Sequence, residues 1–126
     1  MLGSEVVAML AKDAVGQYGE GLAERFLIDA GLTILERNWR CSLGEVDIVA
    51  RDGDSLVICE VKTRTGTGFG TPLEAVTPLK VRRLRQLAGA WLEAHAVRPG
   101  HVRIDVVGIV VPRRGPPVVE HLRSVG

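Results

Sequence analysis

The sequence predicts an α/β fold: a helix, a meander of three strands, a second helix, and one or two further strands in a mixed sheet flanked by helices. Three observations predict it. Apolar residues recur at three- and four-residue steps from Asp13 to Ala30 and again after Pro78. Short β-branched runs bounded by turn residues lie between and after those segments. The chain of 126 residues is 46% hydrophobic and 25% charged, which suits one domain over 1–126 with its own core.

Residues 1–12 show no strong period and are expected to fray. The first helix presents Val15, Tyr18, Leu22, Phe26 and Ala30 on one face, and Gly31 ends it. Thr33 to Arg40 is the first strand. Val46 to Arg51 and Leu56 to Lys62 are the next two, joined by the turn Asp52-Gly53-Asp54-Ser55. A glycine- and threonine-rich loop follows, holding Gly66, Gly68 and Gly70; lacking GK[ST], it is not a phosphate-binding P-loop. Thr77 is the N-cap of a helix with Pro78 at its first position. Leu84, Leu87, Ala88, Trp91 and Leu92 form its apolar face, and Pro99-Gly100 lies beyond its end. Val102 to Val111 is a long strand, Arg113 to Pro117 a turn, and Val118 to Leu122 a short final strand.

Composition excludes several functions. At 4% aromatic, the chain lacks the stacking residues of a broad single-strand-binding platform. No apolar run reaches the roughly 18 residues of a membrane helix. The start, MLGSEVVAMLAKD, lacks a basic leader and carries Glu5, so a cytoplasmic protein with no membrane partner is expected. Cys41 and Cys59 show no CxxC spacing, which argues against zinc and for free thiols. The net charge of +1 hides an asymmetry. Residues 1–60 hold 5 basic and 11 acidic residues, and residues 61–126 hold 11 and 4. That pattern gathers carboxylates in one half and an anion-attracting surface in the other.

The acidic half holds the candidate chemistry. A hairpin centred on Gly53 and Asp54 pairs residues whose numbers sum to 107. Arg51 then faces Leu56, Val49 faces Ile58, Asp47 faces Glu60, and Glu45 faces Lys62, all on one side. Val46, Ile48, Ala50, Val57, Cys59 and Val61 make a wholly apolar opposite side, which supports the register. Two directly opposed carboxylates have Cβ atoms about 5 Å apart and repel unless a cation lies between them. Mg²⁺ or Mn²⁺ suits such oxygen ligands, and Lys62 on the same side could orient water or neutralise a phosphate. Two carboxylates, a lysine and a metal suffice to hydrolyse a phosphodiester.

Asp47 followed by Glu60-Val61-Lys62 resembles the PD-(D/E)xK nuclease motif, as found in archaeal Holliday-junction resolvases; Val46 stands where the motif name has proline. The chain from 14 to 110 resembles the YraN-like family of small bacterial proteins, described as predicted endonucleases. The resemblance rests on Gly19-Glu20 with Ala23, Glu36-Arg37-Asn38-Trp39-Arg40, Gly44-Glu45-Val46-Asp47, Glu60-Val61-Lys62-Thr63-Arg64, Phe69-Gly70, Ala75-Val76, Lys80, and Arg103-Ile104-Asp105-Val106. It implies a restriction-endonuclease-like core and metal-dependent cleavage of DNA, branched forms included. It also implies ligation of Mg²⁺ or Mn²⁺ by Asp47, Glu60 and the backbone carbonyl of Val61, with Lys62 as the catalytic lysine. Glu20 matches the first-helix glutamate that completes resolvase sites. Glu24 is its rival, on a face turned further from the apolar stripe. Resolvase-like members act as homodimers, so a homodimer is implied.

Phosphate contacts are expected from Arg64, from Lys80, Arg82, Arg83 and Arg85 in the first turns of the second helix, and from Arg113 and Arg114. Arg103 and Asp105 read as a structural ion pair, Trp39 and Trp91 as packing residues, and His95, His101 and His121 form no metal spacing. Two rival classes fit the same residues. One is a nucleic-acid-binding module without catalysis, and the other an accessory protein that binds a partner protein.

Overall fold

A computed structural model describes residues 4–66 and 76–125, with side chains from residue 13. Gly68 and Gly70 of the predicted loop lie outside the described residues. The first helix, α1, spans Ser4–Asp29, so it begins nine residues before the periodic segment. Its end follows from local chemistry. Gly31 adopts φ +97, Gly31 N donates to Ile28 O at 3.0 Å and Leu32 N to Leu27 O at 3.0 Å. This left-handed cap satisfies the last carbonyls and turns Leu32 into the core.

The buried stripe of α1 differs from the expected one. Gly19, Ala23 and Leu27 face inward, while Tyr18 is 50% exposed and Ala30 is exposed. The reason is steric. A Cβ at Gly19 would collide with the Thr63 side chain, whose Cβ lies 2.9 Å away. Small residues therefore set the face on which α1 meets the sheet, and the larger apolar residues Leu22 and Phe26 flank it, half-buried.

Five strands follow in the expected order: β1 Thr33–Cys41, β2 Gly44–Asp52, β3 Ser55–Thr65, then helix α2 Pro78–His95, β4 His101–Val111 and β5 Val118–Leu122. They form one mixed sheet in the order β1-β2-β3-β4-β5. Only β3 and β4 run parallel, because α2 carries the chain back across the sheet between them. Thr77 caps α2 by accepting from Lys80 N at 3.1 Å.

A helix covers each face. Leu84, Leu87, Ala88 and Trp91 of α2 pack on Val46, Val49, Leu56, Ile58, Ile104 and Val106. Ala23 and Leu27 of α1 pack on Ile48, Ala50, Val57, Cys59, Val107 and Ile109. Removing a side chain as buried as Leu27 or Ile58 costs about 2–5 kcal/mol. Two polar clusters pin the periphery. Glu36 Oε1 accepts from Trp91 Nε1 at 2.9 Å and lies 3.1 Å from His95 Nε2; His95 stacks on Trp91 with ring centroids 4.0 Å apart. Asp105, 0% exposed, accepts from Arg103 Nε and Nη2 at 2.9 and 3.0 Å and from Ser124 N at 3.1 Å, and meets His121 Nε2 at 2.7 Å. The Arg103–Asp105 pair is thus structural, as expected. His95 and His121, unassigned from the sequence, hold elements together. Among the described residues no helix is long and apolar enough to cross a membrane.

Candidate functional site

The site lies where the sheet splits. The β2–β3 ladder follows the expected register from Asp52↔Ser55 to Ile48↔Cys59 and stops there. Beyond that point β2 stays paired with β1 as far as Cys41↔Gly44, and β3 stays paired with β4 as far as Thr65↔Val111. Residues 44–47 and 60–65 therefore line the two arms of a fork. Asp47 and Glu60, expected to oppose each other directly, sit at its base without forming a ladder pair.

A slip in alternation causes this. Ile48 packs toward α1, and the Asp47 carboxylate also meets Glu20 of α1. Val46, expected beside Ile48, packs instead with Val49 toward α2. Two consecutive residues thus share a face. Asn38, opposite Asp47 on β1 between the pairs Arg37↔Ile48 and Trp39↔Val46, takes a left-handed conformation with φ 52. Asparagine tolerates that conformation better than most residues. The Asp47 Oδ2 then occupies the vacated ladder position and accepts from Val61 N at 2.8 Å. A strand residue presents its N–H and C=O to the same edge, so the Val61 carbonyl also faces the fork.

Glu20, Glu45 and Asp47 converge there, with one oxygen from each within 4.8 Å of the others. The close approach of Gly19 to Thr63 brings Glu20 in. Glu24 turns aside and binds Arg37 Nη1 at 2.8 Å, so of the two candidate glutamates Glu20 is the one whose carboxylate lies with Glu45 and Asp47. The neighbouring cations serve the outer acids: Arg37 Nη2 lies 3.6 Å from Glu20 and Arg40 Nε 3.1 Å from Glu45. With its amide oriented so that the NH₂ faces the acids, Asn38 donates to Glu45 Oε1 at 3.1 Å and Glu20 Oε1 at 3.2 Å. Asp47 is the acid under most strain. Burial, opposed by the Val61 hydrogen bond and reinforced by the charges of Glu60, Glu20 and Glu45, pushes its pKa up to about 7.

On the α2 side of the fork stands Glu60, alternating with Cys59 and Val61, which pack toward α1. Its Oε1 lies 2.9 Å from Lys80 Nζ and 3.5 Å from Lys62 Nζ. The adjacent Lys80 ammonium, with partial burial, lowers the Lys62 pKa against the pull of Glu60. Lys62 does not meet Glu45, its expected partner across the hairpin. Lys80, expected among the phosphate contacts, is paired with Glu60 in this structure. Arg82, Arg83 and Arg85 are exposed on α2, and Arg64 is exposed at the end of β3.

Spacing alone puts Glu45 on the strand face of Asp47, and its position two residues before that acid was the available signal for a further carboxylate in the cluster, which the motif resemblance does not assign. Asn38 and Lys80 were marked only by the resemblance and, for Lys80, as an expected phosphate contact; their contacts with the acids run between elements, which no local pattern records. A cleft of about 620 Å³ opens over the acids, lined by Asp13, Gly16, Gln17, Glu20, Asn38, Arg40 and Glu45. Oxygen-only donors, three carboxylates in contact range and an acid held near neutrality fit a hard divalent cation.

The family model described as "Uncharacterised protein family UPF0102" matches residues 19–109, from the glycine under Glu20 to the end of the β4 core. The chain belongs to UPF0102. This is the YraN-like family that the motifs resembled. A UPF0102 protein of Kineococcus radiotolerans is 60% identical over 121 residues, covering 95% of this chain and 99% of the relative. One of Streptomyces griseus is 60% identical over 118 residues, covering 93% and 99%. A third, of Beutenbergia cavernae, is 57% identical over 118 residues, covering 94% and 100%. These UPF0102 relatives match almost from end to end, so the whole fork belongs to the shared part of the chain.

Proposed function

We propose that this UPF0102 protein is a divalent-cation-dependent endonuclease that hydrolyses phosphodiesters in DNA, with branched or structured DNA as its substrate. The observation that carries the reading is the convergence of Glu20, Glu45 and Asp47 at the base of the fork, beside Glu60, Lys62 and Lys80. An acid held at a pKa of about 7 by burial and by neighbouring carboxylates costs the fold stability, and bound positive charge relieves that cost. Mg²⁺ or Mn²⁺ would be held by Asp47 with Glu20 and Glu45, and by Glu60 and the Val61 carbonyl across the fork. The cation would supply Lewis-acid stabilisation of the phosphate and an acidified water.

The protein's own groups do the rest. Asp47, fixed by Val61 N–H, keeps the carboxylates converged on one point. Lys62, half-buried and close to Glu60, orients the attacking water or offsets charge developing on a non-bridging phosphate oxygen. The exposed Arg64, Arg82 and Arg83 lie on the elements that bound the α2 side and would take the flanking phosphates. Cleavage of plasmid and four-way-junction DNA tests the proposal, with Mn²⁺ or EDTA. Cation-dependent cleavage is expected, reduced by about 10²-fold or more in Asp47→Asn and Lys62→Met. Salt-dependent DNA binding without cleavage of any substrate would instead make the protein a binding module.

A further inference from the structure

Lys80 begins its side chain on the first turn of α2, yet its ammonium ends on β3. It lies 2.9 Å from Glu60 Oε1, nearer than the 3.5 Å of Lys62. Both partners are largely withdrawn from water, with side-chain exposures of 31% for Lys80 and 15% for Glu60. The placement runs against local electrostatics, since a cation near a helix N-terminus opposes the dipole. Glu60 acts on Asp47 by its charge but is not one of the three acids, Glu20, Glu45 and Asp47, whose oxygens converge. One carboxylate oxygen thus faces two ammonium groups, while three carboxylates face each other with their cations displaced to the outside.

We propose that Lys80 is a positioning residue that acts as an internal counter-ion latch, holding Glu60 on the α2 side until a divalent cation competes for it. The inference rests on the cation-binding reading of the fork. A cation between the two arms attracts the Glu60 carboxylate, and Lys80 then loses its partner. The freed ammonium lies at the rim of the fork, where a phosphodiester would lie against Lys62. Linkage makes the coupling reciprocal. Cation binding readies Lys80 for a phosphate, and a phosphate that draws Lys80 away tightens the cation. DNA and cation should therefore bind cooperatively through this one side chain.

Mn²⁺ titration by electron paramagnetic resonance, without DNA, tests the latch in wild type, Asp47→Asn, Lys80→Met and Lys80→Arg. Lys80→Met removes the competing charge, so Mn²⁺ should bind about two- to fivefold more tightly, the scale of a partly exposed ion pair. Lys80→Arg should keep wild-type affinity. Mn²⁺ binding that is lost in Asp47→Asn but unchanged or weakened in Lys80→Met overturns the latch and leaves the site intact. Absence of Asp47-dependent binding in wild type overturns both. A Lys80→Arg protein that behaves like Lys80→Met also refutes the latch, because charge would not be the cause. An independent reading needs no variant: in wild type, Mg²⁺ should shift the Lys80 ammonium resonance in a nitrogen-detected NMR titration, and an unmoved resonance at saturation refutes the idea.

Discussion

Replacing Asp47 by asparagine should make the cation-free protein more stable above neutral pH. The amide would keep the shape of the side chain and the acceptor for Val61 N–H while removing a charge surrounded by Glu60, Glu20 and Glu45. The Asp47 pKa rises from 3.8 in the unfolded chain to about 7 in the fold. Between those values the folded chain holds a proton that the unfolded chain has released. Stability therefore falls as pH rises through the window, and the full deficit is present above it. At about 1.4 kcal/mol per pKa unit the deficit has an upper bound of about 4 kcal/mol. Solvent access and relaxation of the cleft reduce it, so a gain of about 1–3 kcal/mol is expected for the variant at pH 8. Urea unfolding in EDTA at several pH values measures it. The two proteins should have nearly equal stability near pH 4 and diverge toward pH 8. A variant less stable than wild type at pH 8, or a gap that does not change with pH, would refute the account of Asp47 as a strained acid.

Two further perturbations probe the scaffold. Gly19→Ala should destabilise the protein by about 1–3 kcal/mol, since the added methyl has to displace Thr63; equilibrium unfolding reads the loss, and Mn²⁺ affinity should fall with it because Glu20 moves. Asp105→Ala should cost about 3–5 kcal/mol by leaving Arg103 and His121 without their buried acceptor. Arg103 and His121 also hold the Asp105 pKa below the usual carboxylate range despite its burial. This contribution is present above pH 4 and is lost as pH falls, so the wild type should lose stability in acid while the variant changes less.

Local patterns determined most of the architecture. The order of elements, the cap at Thr77, the glycine stop at Gly31 and the hairpin register from Asp52↔Ser55 to Ile48↔Cys59 all follow from neighbours within a few residues. Turn chemistry and side-chain period act at that range, so a sequence records them directly. The identity of the chemically charged positions was legible for the same reason: Asp47, Glu60 and Lys62 stand at fixed spacings about one turn. What the chain could not show locally was where that register ends. The strands part beside Asp47, opposite Asn38, which lies nine residues away on another strand with a positive φ. The face of α1 that meets the sheet was set by the gap Gly19 leaves for Thr63, not by the largest apolar residues. Lys80 reached Glu60 only because α2 crosses back over the sheet. Each of these is a contact between elements distant in sequence, decided by packing volume and by where charge finds a partner. The residues of the site were written in the sequence. Their division into an acidic cluster on one side of the fork and a lysine-held glutamate on the other was decided by the tertiary structure, because only folding brings their backbones close enough for charge and shape to compete.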